Sequence, residues 1–482
     1  MTKVRTRFAP SPTGYLHIGG LRTALYAYLF AKKNDGDFIL RVEDTDRERL
    51  VEGACDVIYN TLKDTGIMYD EGPDAGGDFG PYIQSERKDI YQQHAEKLIE
   101  SGAAYRCFCT KERLAELRAE KEKNGEQFSY DKHCLHLSEE EIQAKLDAGE
   151  TYVVRQNIPT EGETTYSDAV FGDITVPNAD LDDNVLLKSD GMPTYNLANV
   201  VDDHLMEISH VIRGVEYLSS TPKYNLLYEA FGWNLPEYIH LPPVMKNKNQ
   251  KLSKRHGDAS YQDFIDKGYI KEAIINYIAL LGWSGKDNQE IYSLEELIEA
   301  FDLSGLSKSP AIFDVEKLTW MNAQYIRGFS KEEFIRRAMP YFEEAGVTDK
   351  NLDLIIEVMQ PRLTHMTEIP EKLAFLSQMP DYSLGLYYSK KMKTDSDMAL
   401  SVLEPCLALL ETLNDYTKDG LHDPLMNLVQ ELGVKTGQVL MPLRVAITGT
   451  AVTPGGAFEA AELLGKEETL RRLKESIAKL KV

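Results

Sequence analysis

The chain has 482 residues, 43% of them hydrophobic and 27% charged, with a formal net charge of −23. That length allows about three domains at roughly 150 residues each, and the composition is that of a globular chain, not a disordered or fibrous one. No stretch approaches the roughly 18 consecutive apolar residues of a membrane span. Met1-Thr2-Lys3-Val4-Arg5-Thr6-Arg7 has no apolar run behind its basic residues, so no secretory leader and no membrane partner are expected, and the location expected is cytoplasmic. The acidity argues against a polyanionic partner. One basic face on an acidic body suffices for nucleic acid, however, so charge leaves that question open.

Val4 to Phe8 reads as a strand, followed by a turn-rich Pro10-Ser11-Pro12-Thr13-Gly14. A helix is predicted from about Gly20 to Lys33, with Leu21, Leu25, Tyr28 and Leu29 on one stripe. Phe38-Ile39-Leu40-Arg41-Val42 reads as a strand buried on both faces. Strand, glycine-rich turn, helix and strand make a βαβ unit, the core of a nucleotide-binding sheet. From about Arg87 to Ser189 the text changes to charged helices, cysteine-bearing turns and short Thr/Val-rich strands, which predicts an insertion. The sheet resumes around Asn196 to Leu227, and from Asp258 the pattern is helical. Lys271 to Leu281 carries Ile274, Ile275, Ile278 and Leu281 on one face, with Gly282 as a stop. The final 150 or so residues are almost all amphipathic helix, ending with Leu473, Ile477 and Leu480 on one face, and predict a bundle. The fold class is α/β followed by all-α, divided as 1–89, an insertion at 90–195, 196–246, 247–330 and 331–482.

Two short runs carry phosphate chemistry. His17-Ile18-Gly19-Gly20 stands where a turn enters a helix, and a helix N-terminus offers unpaired N–H groups and partial positive charge. Lys251-Leu252-Ser253-Lys254-Arg255 places two lysines three apart in a polar loop that can neutralise a triphosphate. Read singly, the first is equally a helix preceded by flexible glycines and the second a solvated basic loop.

Five cysteines are dispersed at Cys55, Cys107, Cys109, Cys134 and Cys406, an odd count that does not read as a disulfide framework. Cys107-Phe108-Cys109 and Cys134-Leu135-His136, with 24 residues between the two runs, supply three thiolates and an imidazole. That donor set suits a closed tetrahedral zinc site. Reduced cysteines that fall near each other by chance are the alternative.

Taken together, the two phosphate runs resemble the HIGH and KMSKS signatures of class I aminoacyl-tRNA synthetases. The surrounding text resembles the bacterial glutamyl branch of that family. The residues that carry the likeness are Arg7-Phe8-Ala9-Pro10-Ser11-Pro12-Thr13-Gly14, Arg41-Val42-Glu43-Asp44-Thr45-Asp46 and Tyr82-Ile83-Gln84-Ser85-Glu86-Arg87. Lys188-Ser189-Asp190-Gly191, Pro193-Thr194-Tyr195, Val201-Asp202-Asp203-His204 and Trp320-Met321-Asn322 extend it. Gly20 stands where many relatives have a second His, a variation common in the glutamyl branch.

The resemblance implies a Rossmann-type catalytic domain, an acceptor-binding insertion, stem-contact helices after the KMSKS-like loop, and an anticodon-binding helical bundle. It implies ATP-dependent attachment of L-glutamate to tRNA(Glu) through glutamyl-adenylate, with Mg²⁺ on the phosphates. His17, Lys251 and Lys254 would act on the phosphates; Ile18, Gly19, Gly20, Glu216, Leu252, Ser253 and Arg255 would complete the ATP site. Arg7, Tyr195 and Arg213 would hold the side-chain carboxylate, and Ser11, Glu43 and Asn199 the α-amino and α-carboxyl end, with Ala9 contributing backbone. Some bacterial members carry the same Cys107, Cys109, Cys134 and His136 pattern, which implies structural zinc. Bidentate arginine suits a carboxylate better than lysine does.

In the helical third, Tyr387-Tyr388-Ser389-Lys390-Lys391-Met392-Lys393 combines rings with cations, as single-stranded bases favour; core aromatics beside a basic turn are the alternative. Arg362 sits where some relatives place an anticodon-reading arginine. Whether tRNA(Gln) is also a substrate stays open, and a monomer is the family habit. The truncated paralogue that glutamylates a queuosine base lacks these helices, glutamine–tRNA ligases carry a β-barrel there, and an adaptor or tRNA-free nucleotidyltransferase would not keep both sets of motifs.

Overall fold

A computed structural model of the chain describes residues 3–46, 50–126, 128–252 and 260–481. They fall into two units, Met1–Ile265 with Ile274–Asp314 and Asp266–Ala273 with Val315–Val482. The segment 247–330, read from sequence as one region, is shared between them. Among the described residues no helix is long and apolar enough to cross a membrane.

In the first unit, β1 (Arg5–Phe8) and β2 (Asp37–Leu40) pair in parallel, joined by α1 (Ile18–Lys33). All four residues of β1 are buried, as a strand covered on both faces requires. The helix begins at Ile18, before its apolar stripe predicts. His17, extended at φ −71 and ψ 145, accepts from the Gly19 N–H through Nδ1 at 3.0 Å and so caps the first turn. Each glycine costs a helix about 1 kcal/mol, which is why pattern alone starts the helix later.

Next in the chain come α2 (Ala54–Thr65), α3 (Lys88–Glu100), β3 (Ala104–Cys107), α4 (Lys111–Lys123), α5 (Glu139–Asp147), β4 (Val153–Gln156), β5 (Glu163–Asp168), β6 (Gly172–Pro177) and β7 (Val185–Leu187). α6 (Tyr195–Leu205), β8 (His210–Gly214), α7 (Thr221–Phe231) and β9 (Glu237–Leu241) return to the nucleotide-binding layer. Over 196–227, where the sequence predicts sheet, β8 is flanked by two helices, because Leu197, Ala198, Val200 and Val201 bury one side of α6.

β8 and β9 are parallel, with Arg213 opposite His240. β8 starts beside β1, where the Ser209 N–H donates to the Arg5 carbonyl at 3.0 Å. The insertion does not stand apart from this sheet. β5 pairs in parallel with β9 at Asp168 opposite Tyr238, and β6 pairs antiparallel with β5, giving the order β6-β5-β9-β8. The rest of the insertion forms its own sheet, β3-β4-β7, whose core includes Tyr91, Leu98, Leu186, Leu197 and Tyr224. A hairpin of β10 (Val244–Asn247) and β11 (Gln250–Lys251) follows, with Met245 opposite Lys251.

The second unit is helical from Val315–Gly328 to Lys466–Leu480. Its helices close on one apolar core that includes Phe334, Phe342, Leu363, Tyr387, Leu403 and Leu473.

Candidate active site and metal centre

The start of α1 lines a cleft of about 400 Å³, together with Arg22, Thr23, Gly214, Glu216, Leu241, Pro242, Lys251 and Leu252. His17, Gly19, Gly20, Glu216, Lys251 and Leu252 are therefore brought together from distant parts of the chain. A Cβ on Gly19 would meet the His17 ring at 3.3 Å, and one on Gly214 would run into the Glu216 carboxylate. Ile18 is fully buried under the helix start. Ser253, Lys254 and Arg255 lie outside the described residues.

The same unit holds a buried charge network. Arg7 grips Asp203 with two N–H groups, Nε to Oδ1 at 3.0 Å and Nη2 to Oδ2 at 3.2 Å. Arg41 Nη1 adds a third bond at 2.7 Å, and its Nη2 donates to Glu43 at 3.2 Å. The neighbouring Asp202 accepts from Arg87 Nε at 2.7 Å, Tyr91 at 2.8 Å and Gln84 at 2.9 Å. Burial pushes the Asp203 carboxyl up, but Arg7 and Arg41 outweigh it and the net direction is down. At Glu43 burial wins over the same arginines and pushes the carboxyl up to about 7. One pocket thus holds a firmly ionised carboxylate beside one poised near neutrality.

Tyr195, at the start of α6, shares that environment: burial raises its hydroxyl, opposed by Arg213 and Arg7. Its ring stacks on Tyr217 at 4.9 Å between centroids. One turn along α6, the Asn199 amide donates to the carbonyls of Tyr195 at 2.5 Å and Asn196 at 3.2 Å. Arg213 is caged by the rings of Tyr217, Tyr224 and Tyr238, each 5.1–5.4 Å from the guanidinium carbon. Ala9 is half-buried, and Ser11 is exposed in the turn after β1, its carbonyl accepting from the Thr13 N–H at 2.9 Å.

In the insertion the sulfurs of Cys107, Cys109 and Cys134 all lie within 4.8 Å of one another, with Cys109 and Cys134 3.6 Å apart. Tetrahedral zinc with bonds of about 2.3 Å spaces its sulfurs about 3.8 Å apart, so the three thiols fit that ion. His136 does not join them. It is exposed and outside the cluster, because the short helical turn His133–His136 that carries Cys134 inward sends His136 to the surface. Tyr130 Oη stands there instead, 3.4 Å from Cys107 Sγ and 3.2 Å from Cys109 Sγ. The Cys107 thiol is pushed down chiefly by its hydrogen bond with Cys134, then by Tyr130 and by Arg155, whose Nε donates to it at 3.3 Å. Cys55 is half-buried and Cys406 is buried among apolar side chains of the second unit.

In the second unit the Tyr387-to-Lys393 run divides. Tyr387 is fully buried and bonded to Tyr382 at 3.0 Å, whereas Tyr388 is 65% exposed at the mouth of a turn closed between Ser389 and Thr394. Arg362 is exposed, with Nη1 on the Val358 carbonyl at 2.7 Å. Several residues of the site escaped sequence reading. Asp202, Asp203 and Arg41 lay inside quoted motifs without a role, and Asp168, His240 and Tyr130 carried no signal, since each acts only through a neighbour remote in sequence.

A parallel βαβ start whose helix begins at a cleft, a hairpin that brings Lys251 to that cleft and a helical second unit fit the build of a class I tRNA synthetase. The family model for tRNA synthetases class I (E and Q), catalytic domain, matches residues 3–320, and an anticodon binding domain model matches 333–477. The chain belongs to the class I tRNA synthetase family of the E and Q type. It is 60% identical over 481 residues to the glutamate–tRNA ligase of Clostridium tetani, covering 99% of this chain and 98% of the relative. To that of Clostridium acetobutylicum it is 56% identical over 480 residues, 99% of both. A glutamate tRNA ligase from Elizabethkingia meningosepticum, solved in complex with its amino acid, superposes with a TM-score of 0.92 at 38% identity, over 99% of this chain and 100% of that one.

Proposed function

We propose that the chain is an ATP-dependent glutamate–tRNA ligase that charges tRNA(Glu). The observation that carries this reading is a cleft lined by the start of α1 and by Gly214 and Glu216, next in the chain to the buried Arg213, whose hydrogen-bond partners His240 and Thr221 are uncharged and which has no carboxylate within 4.0 Å among the described residues. Such an arginine seeks an anion, and free glutamate supplies one at its side chain.

The glutamate α-carboxylate attacks the α-phosphorus of ATP, and pyrophosphate leaves; the 2′-hydroxyl of the tRNA's terminal adenosine then attacks the adenylate carbonyl, expelling AMP, which takes the hydroxyl proton on its phosphate. Arg7, Tyr195 and Arg213 orient the side-chain carboxylate, while Glu43, Asn199, Ser11 and the Ala9 backbone receive the α-amino and α-carboxyl end. His17, Lys251 and Lys254 offset charge on the departing pyrophosphate, in a site completed by Gly19, Gly20, Glu216, Leu252, Ser253 and Arg255. Mg²⁺ bound with ATP would supply further charge neutralisation. Cys107, Cys109 and Cys134 would hold zinc, which would serve as a structural ion for the insertion. The catalytic domain presents the acceptor end, and Arg362 faces the anticodon.

The test is glutamate attachment to transcripts of tRNA(Glu) and tRNA(Gln) with ATP and Mg²⁺. Charging of the first is expected; charging of the second as well would place Arg362 and its neighbours among non-discriminating readers. Charging of neither refutes the proposal.

A further inference from the structure

The buried arginines of the pocket are held in opposite ways. Arg7 is clamped two-handed on Asp203, so its charge is matched within the protein. Arg213 is not. Its Nε donates to His240 Nε2 at 3.1 Å and its Nη2 to Thr221 Oγ1 at 2.7 Å, both neutral acceptors. The hydroxyl of Thr221 lies 2.8 Å from the Tyr217 carbonyl and 3.3 Å from His240 Nε2, and whichever of the two takes its proton, a lone pair is left for the arginine.

An imidazole nitrogen accepts only when it carries no proton. His240 is fully buried on β9, and its other nitrogen, Nδ1, lies 2.6 Å from Asp168 Oδ2. Asp168 is itself 2% exposed and accepts three backbone N–H groups, from Val170 and Phe171 at 2.9 Å each on Oδ1 and from His240 at 3.1 Å on Oδ2, the oxygen that the His240 ring also faces. A carboxylate that accepts three N–H groups is an acceptor for the ring as well, so the ring proton belongs on Nδ1 and the lone pair on Nε2 faces Arg213. The β5–β6 hairpin, by joining the sheet at Asp168, delivers the group that sets this tautomer.

We propose that Asp168 and His240 are positioning residues for substrate selection: they fix the plane of the Arg213 guanidinium through a neutral imidazole, so that its charge stays unmatched until a side-chain carboxylate arrives. A carboxylate in direct contact would hold the arginine equally well but cancel the charge that separates glutamate from glutamine. The interposed imidazole holds without cancelling. This inference rests on the reading that Arg213 takes the side-chain carboxylate.

The prediction concerns selection, not stability. Asp168→Asn cannot accept four N–H groups. If its amide turns toward the ring, it forces the proton onto Nε2 and sets two N–H groups face to face at Arg213. Glutamate KM in tRNA charging should rise about 10- to 50-fold, the loss of a hydrogen bond to a charged group, with ATP KM within about twofold. The ratio of glutamate KM to the inhibition constant of glutamine should move toward glutamine by a similar factor. His240→Leu should do the same, and His240→Gln, whose carboxamide oxygen can reach the place of Nε2, should recover most of the loss. The His240 pair keeps the test open should Asp168→Asn fail to fold. Arg213→Lys separates the two levels. If it leaves glutamate KM unchanged, the carboxylate reading fails and the positioning role with it. If it raises KM while Asp168→Asn and His240→Leu do not, the positioning role alone is overturned. A parallel rise of glutamate and ATP KM with an unmoved glutamine ratio in those two variants would also overturn it, by showing a merely structural part.

Discussion

Asp203→Asn is the sharpest perturbation of the charge network. Asp203 is 2% exposed and contacts two arginines, Arg7 through two N–H groups and Arg41 at 2.7 Å. At an effective dielectric of about 20, each contact at roughly 4 Å between charge centres is worth about 4 kcal/mol before desolvation is counted. Removing one partner of a buried pair costs about 3–5 kcal/mol in practice, because the other charge stays buried. For a unit of this size each kcal/mol moves the melting temperature by about 1.5 °C, from the unfolding entropy of roughly 2.1 cal/mol/K per residue, so scanning calorimetry should show a drop of about 5–8 °C. The sign with pH is fixed too. The folded-state pKa of Asp203 is depressed, so its contribution is complete above its ordinary range near 3.9 and is lost as pH falls through the lower folded value. Wild type and variant should therefore differ by a constant amount above about pH 5 and converge below it. The Lys479–Asp381 pair, whose carboxylate is fully exposed, is the control, and Asp381→Asn should leave the melt unchanged. A shift under about 2 °C for Asp203→Asn, or a gap that widens in acid, would refute this account of what holds Arg7 and Arg41.

Other outcomes follow from the same geometry. Glu43, pushed up to about 7 by burial, must be ionised to receive an α-ammonium group; kcat/KM for glutamate should fall as pH drops below about 7, and Glu43→Gln should flatten that limb while lowering its plateau. Lys251→Ala should cut kcat about 100-fold by loss of charge stabilisation with glutamate KM within about threefold, and a change in KM alone would remove Lys251 from the phosphate role. Metal analysis should find about one zinc per chain. Cys109→Ser should release it and loosen the insertion by hydrogen exchange, Tyr130→Phe should weaken retention, and His136→Ala should not; zinc lost only with His136→Ala would return the fourth position to the imidazole.

The first helix, the βαβ beginning and the closing bundle were legible in one dimension because each is announced by local chemistry, although the start of the helix, at Ile18, was read two residues late. An apolar stripe at helical spacing and a run of amphipathic segments need no partner to be seen, whereas a cap such as the one His17 makes shows only in three dimensions. The grouping of Cys107, Cys109 and Cys134 was legible for a similar reason, since side chains that can share one ion cluster in sequence as well as in space. His136 shows where that reasoning stops. The spacing offered it as a fourth ligand, whereas the turn His133–His136 carries Cys134 inward and leaves His136 exposed, outside the three-thiol cluster.

What the sequence by itself determined is therefore the set of local elements and the inventory of ionisable groups, down to Arg7, Glu43, Lys251 and Arg213. Only tertiary structure decided how those charges are matched. Asp203 lies far along the chain from Arg7, and Asp168 reaches Arg213 only through His240 on the strand between them. Pairing of buried charge depends on which strands become neighbours. Strand neighbours are chosen by long-range packing, which leaves no periodic mark on the residues it brings together.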